Sequence, residues 1–358
     1  MESRISAPMP SCGFGGPFNM RSLDRNSLVT IGRAAVFLLV GGAGWSQPTA
    51  MGAVWPPPPA VARIRMESCL ASPAECGAKP TMAERVVEFL TGARYVDERF
   101  EKPFGVAVDE RGNLCVTDLG SGVVWFFDRG NERAYRWDQI DHVRFVQPVA
   151  IAKAAGTIYV ADSWLGQVVA FDEAGRLKFR ISKPLQRPVG VAVAGERIYV
   201  VDTLENAVGV FDLSGRMLSR FGQRGTAPGA FNFPTHVAAD GHGQIFVTDS
   251  LNARIQVFTP EGKLLRVIGS SGDGSGHFSR PKGVAVDSQG HVYVADALFD
   301  NIQIFDAEGA FLLDVGSSGS TPGEFWLPSG LAIGRDNQIV VADTANRRVQ
   351  VLRYLGAP

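Results

Sequence analysis

The chain has 358 residues, with 35 Lys and Arg against 36 Asp and Glu and a formal charge of -1. Its length would accommodate two average domains, and the 45% of hydrophobic residues can supply a substantial core. From Met82 to Pro358, 28 basic residues face 32 acidic ones, the wrong sign of excess for holding a polyanion, so no nucleic-acid partner is expected.

Residues 1–52 differ in composition from the rest of the chain. Arg21, Arg25 and Arg33 precede the apolar run Ala34 to Val40, and small residues lead to exit points near Ser46 or Gly52. A charged segment, a short apolar run and a small-residue exit make the pattern of a secretory signal, with Met20 as an alternative start. The run is well short of the ~20 residues that span a bilayer, so no membrane span is expected in the mature form.

Residues 53–80 read as a Pro-rich lead-in. Within it, Arg63-Ile-Arg-Met-Glu67 alternates polar and apolar side chains, and a candidate closing strand is placed at 61–68. Cys69 and Cys76 are seven apart; in an oxidising compartment they could close a small loop contributing roughly 2 kcal/mol. Cys12 leaves with the leader, and Cys115 lies in a predicted strand as a small buried hydrophobe. Thr81-Met-Ala-Glu84 has capping-box spacing, and Met82, Val86, Val87 and Leu90 share a helical face, which predicts a short helix over 82–91. The competing placement makes Val86 to Leu90 the closing strand.

From Pro103 onward one phrase recurs six times: a proline, a short apolar run, a turn, then a strand ending in Asp. Its clearest copy is Pro281-Lys-Gly-Val-Ala-Val-Asp-Ser-Gln-Gly-His-Val-Tyr-Val-Ala-Asp296. The prolines are 103, 148, 188, 234, 281 and 328, and the aspartates are 118, 162, 202, 249, 296 and 343. A period of roughly 40 to 47 residues is that of a four-stranded propeller blade rather than a helical solenoid. A third strand begins six residues after each Asp, at Val124, Val168, Val208, Ile255, Ile302 and Val349, and a fourth follows a further turn. The last repeat stops after three strands, and an open edge would leave backbone groups unpaired, so an earlier segment has to complete it. The expected fold is therefore all-β: a six-bladed β-propeller over 81–358, preceded by the helix and closed by an N-terminal strand.

Asp249-Ser-Leu-Asn-Ala-Arg-Ile-Gln-Val-Phe258 and Asp343-Thr-Ala-Asn-Arg-Arg-Val-Gln-Val351 resemble NHL repeats. The six units together are similar to NHL six-bladed propellers, and Val54-Trp-Pro-Pro-Pro-Pro59 with Ala62-Arg-Ile-Arg65 resembles the lead-in of exported bacterial propellers of this kind. The leader implies a periplasmic or secreted protein. Blades one, two, three and five depart from the pattern at its Asn position (Ser121, Leu165, Glu205, Phe299) and its Arg position (Val123, Gln167, Ala207, Asn301). Some eukaryotic NHL propellers bind RNA, a reading that the leader and the acidic balance oppose.

Adjacent antiparallel strands put the repeated Pro and Asp on one rim, the usual binding face of propellers as the resemblance implies. The six aspartates are expected to cap their own turns by accepting backbone N–H bonds, the alternative being a cation-binding circle. Trp164, Leu204, Leu251 and Leu298 stand two places after an Asp, with Phe299 beside the last, and longer segments add Tyr135, Trp137, Phe278, Phe325 and Trp326. These predict an apolar platform for a protein or peptide partner, against the alternative that they seal neighbouring blades. His236 replaces the Gly or Ala of the other five blades, and Lys282 follows a blade proline, so both join the candidate binding set.

The amidating peptidyl-hydroxyglycine lyase, similar in fold, holds zinc with histidines just after its blade prolines. The matching residues here are Phe104, Val149, Val189, Thr235, Lys282 and Ser329. A catalytic zinc site needs about three protein ligands, so no cofactor is expected, neither zinc nor calcium. The competing function is a metal-dependent lyase or hydrolase using His236 with His277 or His142.

Overall fold

The computed structural model describes residues 52–80, 82–91 and 98–356; the leader, apart from Gly52, and Thr81 of the capping box lie outside them. Six antiparallel sheets succeed one another along the chain. Blade one comprises Pro103–Val108, Leu114–Asp118, Val123–Asp128 and Arg133–Trp137; blade two Pro148–Ala154, Thr157–Asp162, Gln167–Asp172 and Leu177–Ile181. Blade three is Pro188–Ala194, Arg197–Asp202, Ala207–Asp212 and Met217–Phe221; blade four Pro234–Ala239, Ile245–Asp249, Arg254–Phe258 and Leu264–Ile268. Blade five is Pro281–Val286, Val292–Asp296, Asn301–Phe305 and Phe311–Val315. Each innermost strand packs on the next, and that of the last blade packs on that of the first, so the ring closes on itself.

Blade six contains Pro328–Ile333, Gln338–Asp343 and Arg348–Tyr354 and takes its fourth strand from Ile64–Leu70, which pairs antiparallel with the last; Val54–Trp55 adds a fifth. The closing strand thus begins and ends later than the expected 61–68. Its alternation explains the choice: Ile64 and Met66 are buried between blades five and six while Arg65 faces water. Helix Met82–Thr91 follows, with Met82, Val86, Phe89 and Leu90 exposed rather than packed on the blades.

Alternating strand residues explain how the blades cohere. Ile158 and Val160 face blade one, whereas Tyr159 and Ala161 on the same strand face blade three. Repeated around the ring, this places one apolar cluster in each of the six gaps between blades. Burial at about 25 cal/mol per Å² makes these clusters the main favourable term. Hydroxyls add polar ties at the closing seam, where Ser329 Oγ donates to the Phe104 carbonyl at 2.9 Å and Thr344 Oγ1 to the Pro103 carbonyl at 2.8 Å.

The inner strands approach so closely at the second residue after the proline that side chains barely fit. A Cβ at Gly283 would lie 2.3 Å from the Ser329 carbonyl oxygen, and one at Gly330 2.3 Å from that of Phe104. Blade four alone places a large side chain there, His236.

Candidate binding face

In every blade the proline pairs with the aspartate, so all six pairs mark one rim. The aspartates do not form an open cation circle: each carboxylate is filled by donors of its own blade. Asp162 accepts from the backbone N–H of Val146, Gln147, Trp164 and Leu165. Asp118, Asp202 and Asp296 are held in the same way. Asp343 keeps one such bond, from Trp326 N, and takes the rest from Asn346 Nδ2 (2.9 Å), Arg348 Nε (2.7 Å) and Gln350 Nε2 (2.9 Å). Asp249 is the counterpart in blade four, bonded by Asn232 N and by Asn252, Arg254 and Gln256 side chains.

These side chains also grip the segment that leads into the blade. Arg348 donates to the carbonyls of Ser320, Thr321 and Glu324, and Arg254 to those of Ala227 and Ala230. The repeat's Asn and Arg are therefore loop clamps here. The fourth residue after each Asp has positive φ in all six blades: Gly122, Gly166, Asn206, Ala253, Asp300 and Arg347. That left-handed turn points the residue two after the Asp away from the blade.

Those residues face water. Trp164 is 71% exposed, Leu204 56%, Leu251 48% and Leu298 56%, with Phe299 half-buried beside the last. Val146, Phe233, Trp326 and Leu327, from the segments before blades two, four and six, are exposed on the same rim. Among the described residues, eight large exposed hydrophobics thus crown the Pro/Asp rim, against Val61, Leu213 and Leu355 on the opposite one, Met217, Leu218, Leu265, Val267 and Leu312 on outer strands, and Met82, Val86, Phe89 and Leu90 on the helix. Four expected members of the platform are elsewhere. Phe278 and Phe325 are fully buried in the gaps between blades, and Tyr135 and Trp137 belong to the outer strand of blade one, packed on Phe126 with ring centroids 5.8 and 6.3 Å away. Phe278 and Phe325 start the return toward a blade proline, where each fills the space over a left-handed glycine (Gly269, Gly316), a role the one-dimensional pattern does not reveal.

His236 and Lys282 form a second group, at the channel mouth. The Phe104 ring, from blade one, stacks on the His236 ring, from the opposite blade four, at 6.3 Å and 23°. A contact between opposite blades has to cross the ring axis. Lys282 Nζ lies 5.4 Å over the Phe104 face, a cation–π contact. Burial, reinforced by the Lys282 charge, holds the His236 imidazole down to about 3, and burial with the Arg280 and Lys102 charges lowers the Lys282 ammonium. Asp249, the expected neighbour of His236, is engaged elsewhere. His277 is exposed beside the Gly272–Gly274 loop and His142 is exposed on the 139–144 hairpin, so neither shares the His236 contacts. Among the described residues no group of three or more His, Cys, Asp or Glu could hold a metal ion. Cys69 and Cys76 are free thiols packed in different clusters, and Cys115 is a buried thiol raised by desolvation.

The fold and this rim define a six-bladed β-propeller. The sequence pattern of the DUF5128 family, described as a 6-bladed beta-propeller, matches residues 238–297 and 287–354. No curated protein matches the chain. Among solved structures it is similar to a protein of unknown function from Bacteroides thetaiotaomicron (TM-score 0.55, 17% identity, 72% of this chain and 70% of that one). It is also similar to virginiamycin B lyase from Staphylococcus aureus (0.54, 12%, 72% and 96%) and to a streptogramin B lyase (0.53, 13%, 71% and 94%). At these identities the likeness is one of fold. Among the described residues no helix is long and apolar enough to cross a membrane.

Proposed function

We propose that this is a non-enzymatic binding or scaffold propeller of the NHL type, exported to the periplasm or secreted, that recognises a protein or peptide partner on its Pro/Asp rim. The observation that carries this reading is the concentration of exposed hydrophobic residues on that rim. Exposed hydrophobic residues gathered on one face are characteristic of interaction sites. Trp164, Leu204, Leu251 and Leu298 sit on short loops that follow a buried carboxylate, so little ordering entropy opposes association. Trp164, Leu204, Leu251, Leu298 and Phe299 supply the contact, and the partner is expected to present a complementary apolar surface.

Affinity capture from a periplasmic extract with the wild type and a Trp164→Ala, Leu251→Ala variant tests this. One protein retained by the wild type and lost from the variant supports the rim; identical captures reject it. Metal analysis addresses the competing lyase or hydrolase: stoichiometric zinc or calcium lost on His236→Ala would replace the binding reading by that one.

A further inference from the structure

The channel mouth gathers polar groups that the protein itself leaves unsatisfied. Both ring nitrogens of His236 and the hydroxyl of Thr235, the preceding residue, are buried without a hydrogen-bond partner. Each such group costs on the order of 1–3 kcal/mol when left unpaired. Lys282, half-buried, has no ion pair among the described residues, and the charges acting on it are those of Arg280 and Lys102, of its own sign. An ammonium and an imidazole therefore meet the Phe104 ring, with further positive charge from Arg280 and Lys102 and no carboxylate to balance it.

We infer that the mouth of the central channel is an anion site that takes a carboxylate group, with Lys282 as the charge partner, His236 as a hydrogen-bond donor, and Phe104 against the ligand's carbon chain. Lys282 is the one ammonium in contact with the Phe104 ring, Arg280 and Lys102 acting on it through charge alone, so a singly charged carboxylate is matched at contact range. The imidazole is neutral and carries one N–H, which rotation of the ring about its Cβ–Cγ bond turns toward the ligand. Desolvation at the site strengthens the Lys282 interaction over what it would be in open water. The carboxylate belongs to a free small acid or to the terminus or side chain of a peptide. The site uses no residue of the apolar crown, so it stands or falls apart from the partner proposed above.

The test is titration of the full-length chain, labelled with 15N in its histidine rings, with acetate, succinate and inorganic phosphate, using chloride at equal ionic strength as the reference. The His236 resonances are identified by their loss in His236→Phe. Acetate or succinate is expected to shift them saturably, and Lys282→Met to weaken binding at least ~10-fold. Lys282→Arg retains binding, as does Lys263→Met on the opposite rim. If Lys282→Met fails to fold, Lys282→Gln takes its place. A short peptide that binds at least ~10-fold more tightly than acetate and loses that affinity on C-terminal amidation assigns the carboxylate to a peptide; equal affinities assign it to a small acid. No saturable shift with either carboxylate, binding of phosphate alone, or a shift unchanged in folded Lys282→Met overturns the site.

Discussion

Blades four and six solve the same problem as blades one, two, three and five with different residues. All six bury an aspartate at the rim. In blades one, two, three and five backbone N–H groups satisfy it, so the neighbouring side chains are free to vary, from Ser121 to Phe299. In blades four and six Asn, Arg and Gln side chains replace most of those N–H donors and continue into the long segments before Pro234 and Pro328. The segment before Pro281 is as long, yet blade five holds it through Gln303 without the Asn and Arg, so the difference teaches that the signature is one of two ways of tying down a long connection.

The largest effect expected from breaking this arrangement is at Arg348. Arg348→Leu leaves the fully buried Asp343 without its ion partner and is expected to cost about 3–5 kcal/mol in urea unfolding. At the matching position of blade two, Gln167→Ala is expected to cost about 1 kcal/mol or less. Equal costs would erase the distinction between the two kinds of blade.

Asp162→Ala sharpens the other side of the comparison. It removes the acceptor of four backbone donors at a rim that water can partly reach, and a loss of roughly 2–3 kcal/mol is expected by the same measurement.

His236 gives blade four an acid sensitivity of its own. Its folded pKa of about 3 lies below the ordinary imidazole value of 6.5, so the unfolded chain takes up the proton first and stability falls as pH drops from about 6.5 toward 3. Between pH 7 and 5 this single group contributes a loss of about 2 kcal/mol, absent in His236→Phe. Parallel pH–stability curves for wild type and variant would contradict it.

Gains are expected where blades four and six hold a non-glycine residue in the left-handed region. Ala253→Gly and Arg347→Gly relieve positive φ and are expected to stabilise by about 0.5–1 kcal/mol, measured by thermal unfolding, whereas Asn206→Gly changes stability by a few tenths.

The ring was legible because its determinants are local and repeated. The Pro-to-Asp phrase sets two strands and a turn, and six copies leave little choice of architecture. The exposed positions two after the Asp were legible for the same reason, since one tight loop recurs. What the sequence hides is what depends on distance across the ring. Nothing local indicates that Phe104 meets His236 from the opposite blade, or that Phe278 and Phe325 fold inward while Val146, Phe233 and Leu327 turn out. Helix Met82–Thr91 was legible from its capping spacing and apolar periodicity, but the exposure of Met82, Val86 and Leu90 was not.

The most direct measurement of the proposed recognition face is site-specific photo-crosslinking in the cells that make the protein, with the reactive group placed in turn at positions 164, 251 and 298 on the crowned rim and at 214 on the opposite one. The account predicts one and the same crosslinked partner from the first three positions and none from the fourth. Equal crosslinking from both rims, or none from the crown, would contradict it.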